Sequence, residues 1–208
     1  PFTFIATAEV IQLLGATPVF VDIDKDTFNI SPEKLEKEIE SVIQNGELIP
    51  KAIIPVDLFG LPANSIDIQK IAKSNGLRLI IDSAQGFGSS INGKITCGFG
   101  DVGTTSFFPA KPLGCYGDGG AIFTNDEDLY KKLVSIRIHG KGSDKYDNIR
   151  IGINGRLDTI QATILITKLK YYKEEIELRN QIAQKYTSNL NSQIKVQHIP
   201  DGYKSVWA

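Results

Sequence analysis

The chain has 208 residues, 41% of them apolar, and its 23 Lys plus Arg nearly balance 24 Asp plus Glu, for a net charge of −1. This composition supports one folded core with part of a second and excludes a disordered chain, and the near-neutral charge offers no basic face to nucleic acid or to a membrane. No apolar run approaches the roughly 18 residues of a membrane span, no secretory leader opens the chain, and Cys97 and Cys115 make no disulfide framework, so a soluble, cytoplasmic protein with free thiols is expected. The sequence contains no methionine, even at position 1, which predicts a piece of a longer protein.

In chain order, residues 5–14 read as a helix closed by Gly15, and 18–22 as a strand. Ser31 and Pro32 form a cap and first turn for a helix that Asn45-Gly46 stops. A strand over 52–56 follows. Asn64 or Ser65 caps the next helix, whose Ile68, Ile71 and Ala72 share a face before Gly76. Residues 77–81 are a buried strand ending at Asp82, and Asn92-Gly93 marks a hairpin within 91–97. Strands over 102–107 and 121–124 flank a Gly-rich loop, and a helix starts from Asp126. Between Asp158 and about Leu190 there is no Gly or Pro, and apolar positions from Ile160 to Tyr186 keep a helical period, so a long helix is expected there. Residues 194–198 read as one more strand.

The alternation of β-branched runs with helices predicts an α/β fold with a mostly parallel central sheet flanked by helices. Residues 1–170 form the large domain of this reading, without its N-terminal part. Residues 171–208 are a connecting helix and the truncated start of a smaller C-terminal domain.

Several motifs fail on inspection. Asp22, Asp24, Asp26 and Glu33 copy calcium-loop positions, but Thr27 stands where the sharp turn needs Gly, and a solvated turn before a helix cap explains the cluster. Gly98, Gly100 and Gly103 spell G-x-G-x-x-G, yet a strand follows where a dinucleotide site needs a helix. Lys111 precedes Pro112, which is not a P-loop, and His139 and His198 have no zinc-ligand spacing.

Asp82, Gln85, Ser106 and Lys111 remain. Asp82 sits where a buried strand runs out, the end at which open α/β sheets place ligands, although it could equally cap the turn after it. Lys111 lies between Pro109 and Pro112 among apolar neighbours. Desolvation lowers an amine's pKa from about 10.4 toward the free base that attacks a carbonyl, whereas a snorkelling lysine at a strand end is the plain alternative. One cofactor accounts for the set. Pyridoxal 5'-phosphate needs a lysine for its aldehyde, a carboxylate for its ring nitrogen and donors for its phosphate, and Lys111, Asp82 and the Ser106 hydroxyl can supply them, with Gln85 in reach of the ring hydroxyl.

The stretches FTFIATAEVIQLLGATPVFVDID (2–24), IDSAQGFG (81–88), TSFFPAKPLGCYGDGGAIFTND (105–126) and GINGRLDTIQA (152–162) closely resemble the DegT/DnrJ/EryC1/StrS sugar aminotransferases over essentially the whole chain. The resemblance implies pyridoxal-phosphate-dependent transferase fold type I, aspartate aminotransferase-like, and a homodimer with shared active sites. Lys111 would be the Schiff-base lysine, Asp82 the ring-nitrogen partner, Gln85 a contact to the ring oxygen and Ser106 a phosphate ligand. Phe4 would stack on the ring, Asn154 would reach the cofactor phosphate of the partner subunit, and Arg156 would meet the substrate, plausibly a uronate carboxylate. The residues alone favour a helix-capping loop for Asn154 and Arg156.

The implied reaction moves an amino group from L-glutamate to a nucleotide-linked keto sugar, with UDP-linked 3-oxo-N-acetylglucosaminuronate the nearest substrate, on the way to bacterial surface polysaccharide such as lipopolysaccharide O-antigen. C4-aminating members share most of these motifs. Family dehydratases carry His in place of the lysine, and a non-catalytic relative acting as an assembly or regulatory subunit would not need the Asp82 and Lys111 pair. Ser83 stands where Ala is usual, and the family's phosphate-binding Gly-Thr segment lies ahead of residue 1.

Overall fold

The computed structural model describes residues 1–144, 146–190 and 193–208. Helix α1 (Ala6–Leu13) buries none of its residues. Helix α2 (Pro32–Asn45) starts where Ser31 Oγ accepts the Lys34 N–H and stops at Gly46, which takes the left-handed conformation with φ of 73°. Strand β1 (Ala52–Ile53) is shorter than expected because Pro55 has no N–H to give the ladder; pairing resumes only as a bridge from Val56 to Asp82. Helix α3 (Ser65–Ser74) is capped by Asn64, whose Oδ1 accepts the Asp67 N–H at 3.2 Å.

Strand β2 (Arg78–Asp82) leads through a turn to a hairpin of β3 (Ser90–Ile91) and β4 (Lys94–Ile95), with Asn92 and Gly93 both at positive φ as a type I′ turn requires. Strand β5 (Val102–Ser106) and β6 (Gly120–Phe123) follow, then α4 (Glu127–Arg137), where Asp126 Oδ1 accepts the N–H groups of Asp128 and Leu129. Helix α5 (Thr159–Asn189) and β7 (Tyr203–Lys204) complete the described elements.

The main sheet runs β1-β2-β5-β6, parallel across β1, β2 and β5 and antiparallel at β6, while β4-β3-β7 form a small antiparallel sheet. The mostly parallel α/β architecture is therefore as expected. One core packs Leu35 and Ile39 of α2 and Ile68 and Ile71 of α3 on Leu79 and Ile81 of β2. Each such fully buried side chain contributes about 1.5–3 kcal/mol. A second core sets Leu165, Tyr172 and Ile176 of α5 against Phe107, Leu113, Cys115 and Val206.

Two expected strands do not form. Residues 18–22 have no neighbour to complete a ladder; only Ile23 bridges to Ile30, and Val19 and Phe20 are exposed. Residues 194–198 are instead tied to the turn at 26–29 by isolated bonds, His198 N–H to the Asp26 carbonyl (2.8 Å) and Gln197 Nε2 to the Thr27 carbonyl (2.7 Å). The last pairing falls at Tyr203–Lys204, which runs antiparallel to β3. No helix among the described residues is long and apolar enough to cross a membrane.

Candidate active site

The parallel strands β1, β2 and β5 expose their carboxyl ends together, and the sequence places Asp57, Asp82 and Ser106 there. Asp82 ends β2 in register with Thr104 of β5. Its Oδ1 accepts the Ala84 N–H at 3.1 Å, so it does cap its own turn. The other oxygen, Oδ2, faces away from that turn and accepts from Thr7 Oγ1 at 2.8 Å. The turn-capping reading of this residue is therefore met on one oxygen, while the other is held by α1.

Lys111 leaves β5 by a loop that several bonds close tightly. The Lys111 N–H donates to the Phe108 carbonyl and the Cys115 N–H to the Phe107 carbonyl, each at 2.8 Å. Gly114 passes so near that a Cβ would stand 2.5 Å from the Pro109 carbonyl oxygen. Helix α5 braces the same loop, with Lys168 Nζ donating to the Gly114 carbonyl (2.5 Å) and Arg179 Nη2 to the Pro112 carbonyl (3.2 Å). The half-buried Lys111 side chain makes no hydrogen bond or ion pair among the described residues; its Nζ lies over the Phe4 ring, 5.9 Å from the centroid.

Phe4 and Thr7 are one helical turn apart where α1 begins, so they share a side of it. One meets Lys111 and the other meets Asp82. The segment that opens α1 thus touches both the amine and the carboxylate, through different residues. Ser106 ends β5 paired with Gly120, and its Oγ accepts the Phe108 N–H at 3.2 Å. The Gln85 Oε1 accepts the Phe59 N–H at 2.7 Å, which leaves its Nε2 without a partner among the described residues.

Asn154 and Arg156 lie elsewhere, on the exposed segment between α4 and α5. Arg156 Nε donates to Asn154 Oδ1 at 2.9 Å, and no contact among the described residues links either to Asp82, Ser106 or Lys111. Ile151 and Ile153 beside them are 96% and 63% exposed, an apolar stretch facing outward.

The acidic segment at 22–33 behaves as a turn. Asp24 Oδ1 accepts from the N–H groups of Asp26 and Thr27 and from Thr27 Oγ1, and these bonds hold its carboxyl below the usual range. No group of three or more His, Cys, Asp or Glu among the described residues could hold a metal ion.

Two residues of this region escaped sequence reasoning. Thr7 gives no signal in the sequence. Asp57 could have been noticed, because it follows an apolar strand just as Asp82 does. It is wholly buried, and that burial pushes its carboxyl up to about 6 against the opposing hydrogen bonds from Ser83, Thr96 and the Ala63 N–H, with the Asp82 charge adding to the rise. The donor set fits pyridoxal phosphate in kind: an amine with no polar partner among the described residues, a carboxylate, an amide N–H₂ without an acceptor among them and a strand-end hydroxyl.

Comparison with known proteins agrees. Residues 1–208 match the description of the DegT/DnrJ/EryC1/StrS aminotransferase family. A UDP-2-acetamido-2-deoxy-3-oxo-D-glucuronate aminotransferase from Pseudomonas aeruginosa is 50% identical over 189 residues, covering 91% of this chain and 50% of that protein. A protein named pleiotropic regulatory protein from Geobacillus stearothermophilus is 45% identical over 193 residues, covering 93% of this chain and 50% of that protein. The crystal structure of a DegT DnrJ EryC1 StrS aminotransferase from Brucella abortus superposes with a TM-score of 0.97 at 54% identity, over 99% of this chain and 55% of that one. The chain thus spans about half the length of these relatives. Given a match over its full length and a shared fold at high identity, the chain belongs to the DegT/DnrJ/EryC1/StrS aminotransferase family.

Proposed function

We propose that the full-length protein is a pyridoxal-phosphate-dependent aminotransferase that moves an amino group from L-glutamate to a nucleotide-linked keto sugar. UDP-linked 3-oxo-N-acetylglucosaminuronate is the first candidate, from the likeness to the Pseudomonas aeruginosa enzyme. The single observation that supports the reading is that the segment opening α1 touches both Lys111, through Phe4, and Asp82, through Thr7.

When bound, the cofactor supplies an electron sink for the amino acid's α-carbon. Lys111 Nζ would hold its aldehyde and would serve as the base for the α-proton. Asp82 would favour a protonated ring nitrogen, because an opposite charge favours both ionised forms. Phe4 would pack on the ring, the Gln85 amide would hydrogen-bond the ring oxygen, and Ser106 would donate to the phosphate.

Residues 1–170 are the cofactor-binding part in this reading, and 171–208 lead into the smaller domain. The protein works as a homodimer in the cytoplasm, and Asn154 serves the cofactor phosphate of the partner subunit. The exposed Ile151 and Ile153 around it support a covered surface. Arg156 takes the uronate carboxylate with parallel hydrogen bonds.

Replacing Lys111 by Ala in the full-length protein should abolish steady-state transamination and the visible absorption that borohydride removes. Retained turnover would overturn the assignment. Supplying glutamate with UDP- and dTDP-linked 3-keto and 4-keto sugars separates C3 from C4 amination.

A further inference from the structure

Behind Asp82 lies a second carboxyl that the proposed chemistry does not use. Asp57 leaves β1 beside the end of β2, and its backbone N–H donates to the Asp82 carbonyl at 3.0 Å. None of Asp57 reaches solvent. Its Oδ2 accepts from Ser83 Oγ (2.5 Å) and Thr96 Oγ1 (2.6 Å), and its Oδ1 accepts the Ala63 N–H (2.9 Å). Two residues on, the Phe59 N–H holds the Gln85 side chain at 2.7 Å, with Phe59 itself in the left-handed region at φ of 57°.

The segment from 57 to 59 therefore grips the turn after Asp82 at three points: the Asp82 carbonyl, the Ser83 hydroxyl and the Gln85 amide. Fit is close enough to restrict the sequence. A Cβ on Gly86 would stand 2.5 Å from Asp57 Cβ and 2.7 Å from its Oδ2. The titratable groups facing Asp57 are Asp82 on the turn and Cys97 beside Thr96, and no cation pairs with it among the described residues.

A buried acid without a counter-cation is a costly way to fill a core, since an apolar group would avoid the desolvation altogether. What the acid adds is direction, because its lone pairs fix hydroxyls on two separate turns. We propose that Asp57 is a positioning residue, which through Ser83 and the Asp82 backbone sets the direction of the Asp82 carboxylate toward the cofactor ring. This deepens the aminotransferase reading and rests on it. Ser83, next to Asp82 in the chain, is the side-chain link between the two acids.

The test uses the full-length protein reconstituted with pyridoxal phosphate, as wild type, Asp57→Ala, Asp57→Asn and Ser83→Ala. The readouts are cofactor affinity and the pH midpoint of the visible band of the lysine-bound cofactor, a quantity that core stability alone does not move. Asp57→Ala should weaken cofactor binding about 10-fold and shift the midpoint by at least about half a pH unit. Asn at 57 can keep the Ser83 contact and should restore most of both. Ser83→Ala removes one contact, keeps the fold and should shift the midpoint in the same direction by a smaller amount, so the test stands even where Asp57→Ala does not fold. Wild-type midpoints in Ser83→Ala, or in a folded Asp57→Ala protein, overturn the proposal. A wild-type protein that binds no pyridoxal phosphate defeats the aminotransferase reading itself, which the same spectra reveal first.

Discussion

Asp57 and Asp82 leave adjacent parallel strands at neighbouring points, and their surroundings differ sharply. Over Asp82 the start of α1 extends one hydroxyl, from Thr7, and the carboxylate stays half-buried. Over Asp57 the turn at 83–86 and Thr96 close completely, and the carboxyl rises to about 6. The same topological position thus yields an acid that can meet a ligand and an acid that can act only on its neighbours. What decides between them is the cover supplied by distant chain segments, not the strand.

The comparison is broken most visibly at the open acid. Asp82→Asn in the full-length protein should lower kcat at least about 100-fold, the scale of losing one preorganised electrostatic contact, while the melting temperature stays within about 2 °C. A variant with wild-type kcat would remove Asp82 from the site.

Next in size is the pH dependence of the closed acid. Its folded-state pKa, about 6, stands above the ordinary 3.8, so the folded form binds this proton more tightly than the unfolded form does. The resulting stabilisation is complete below the unfolded value and is lost as pH rises through about 6. About two units at about 1.4 kcal/mol each amount to about 3 kcal/mol of stability lost by pH 8. Asp57→Asn lacks that proton. Urea denaturation at pH 4 and pH 8 should show the variant gaining about 2 kcal/mol on the wild type between the two, since at pH 4 the first part of the loss has already occurred. An unchanged difference would mean that Asp57 is ionised throughout. The other carboxylates cancel in this difference, since both proteins carry them.

The smallest effect sharpens the link between the open acid and α1. Thr7→Val keeps the shape of the side chain and removes the 2.8 Å bond to Asp82. Cofactor affinity, read by absorbance titration, should change by about 1 kcal/mol, some fivefold, with stability nearly constant.

Elements announced by local chemistry were legible in the sequence. Ser31-Pro32 with Gly46, the helix starts at Asn64 or Ser65 and from Asp126, and the Asn92-Gly93 hairpin stand where expected, because each is decided within a few residues; the structure selects Asn64 as the cap of α3. Strands at 18–22 and 194–198 were misread, because strand formation depends on a partner that apolar alternation does not reveal. In α5 the period was right, yet Leu165, Tyr172 and Ile176 are buried while Ile160 and Tyr186, of the same pattern, are 74% and 65% exposed.

The site divides in a similar way. Asp82, Ser106 and Lys111 could be read from strand ends and flanking prolines. Thr7 could not, since its role arises from a contact 75 positions along the chain, and Asp57 showed only its place after an apolar strand, its partner Ser83 lying 26 positions on. Asn154 and Arg156 rest on the family resemblance; among the described residues their side chains bond to each other, and Asn154 also bridges to Ile138.

Helix α5 has one more consequence. Arg179 donates to the carbonyls of both Pro112 and Val206, and Asn180 Nδ2 adds a bond to the Ser205 carbonyl. The crossbar so made joins the Lys111 loop to the last stretch of chain by way of the helix. Losing the Arg179 guanidinium would therefore release both attachments together.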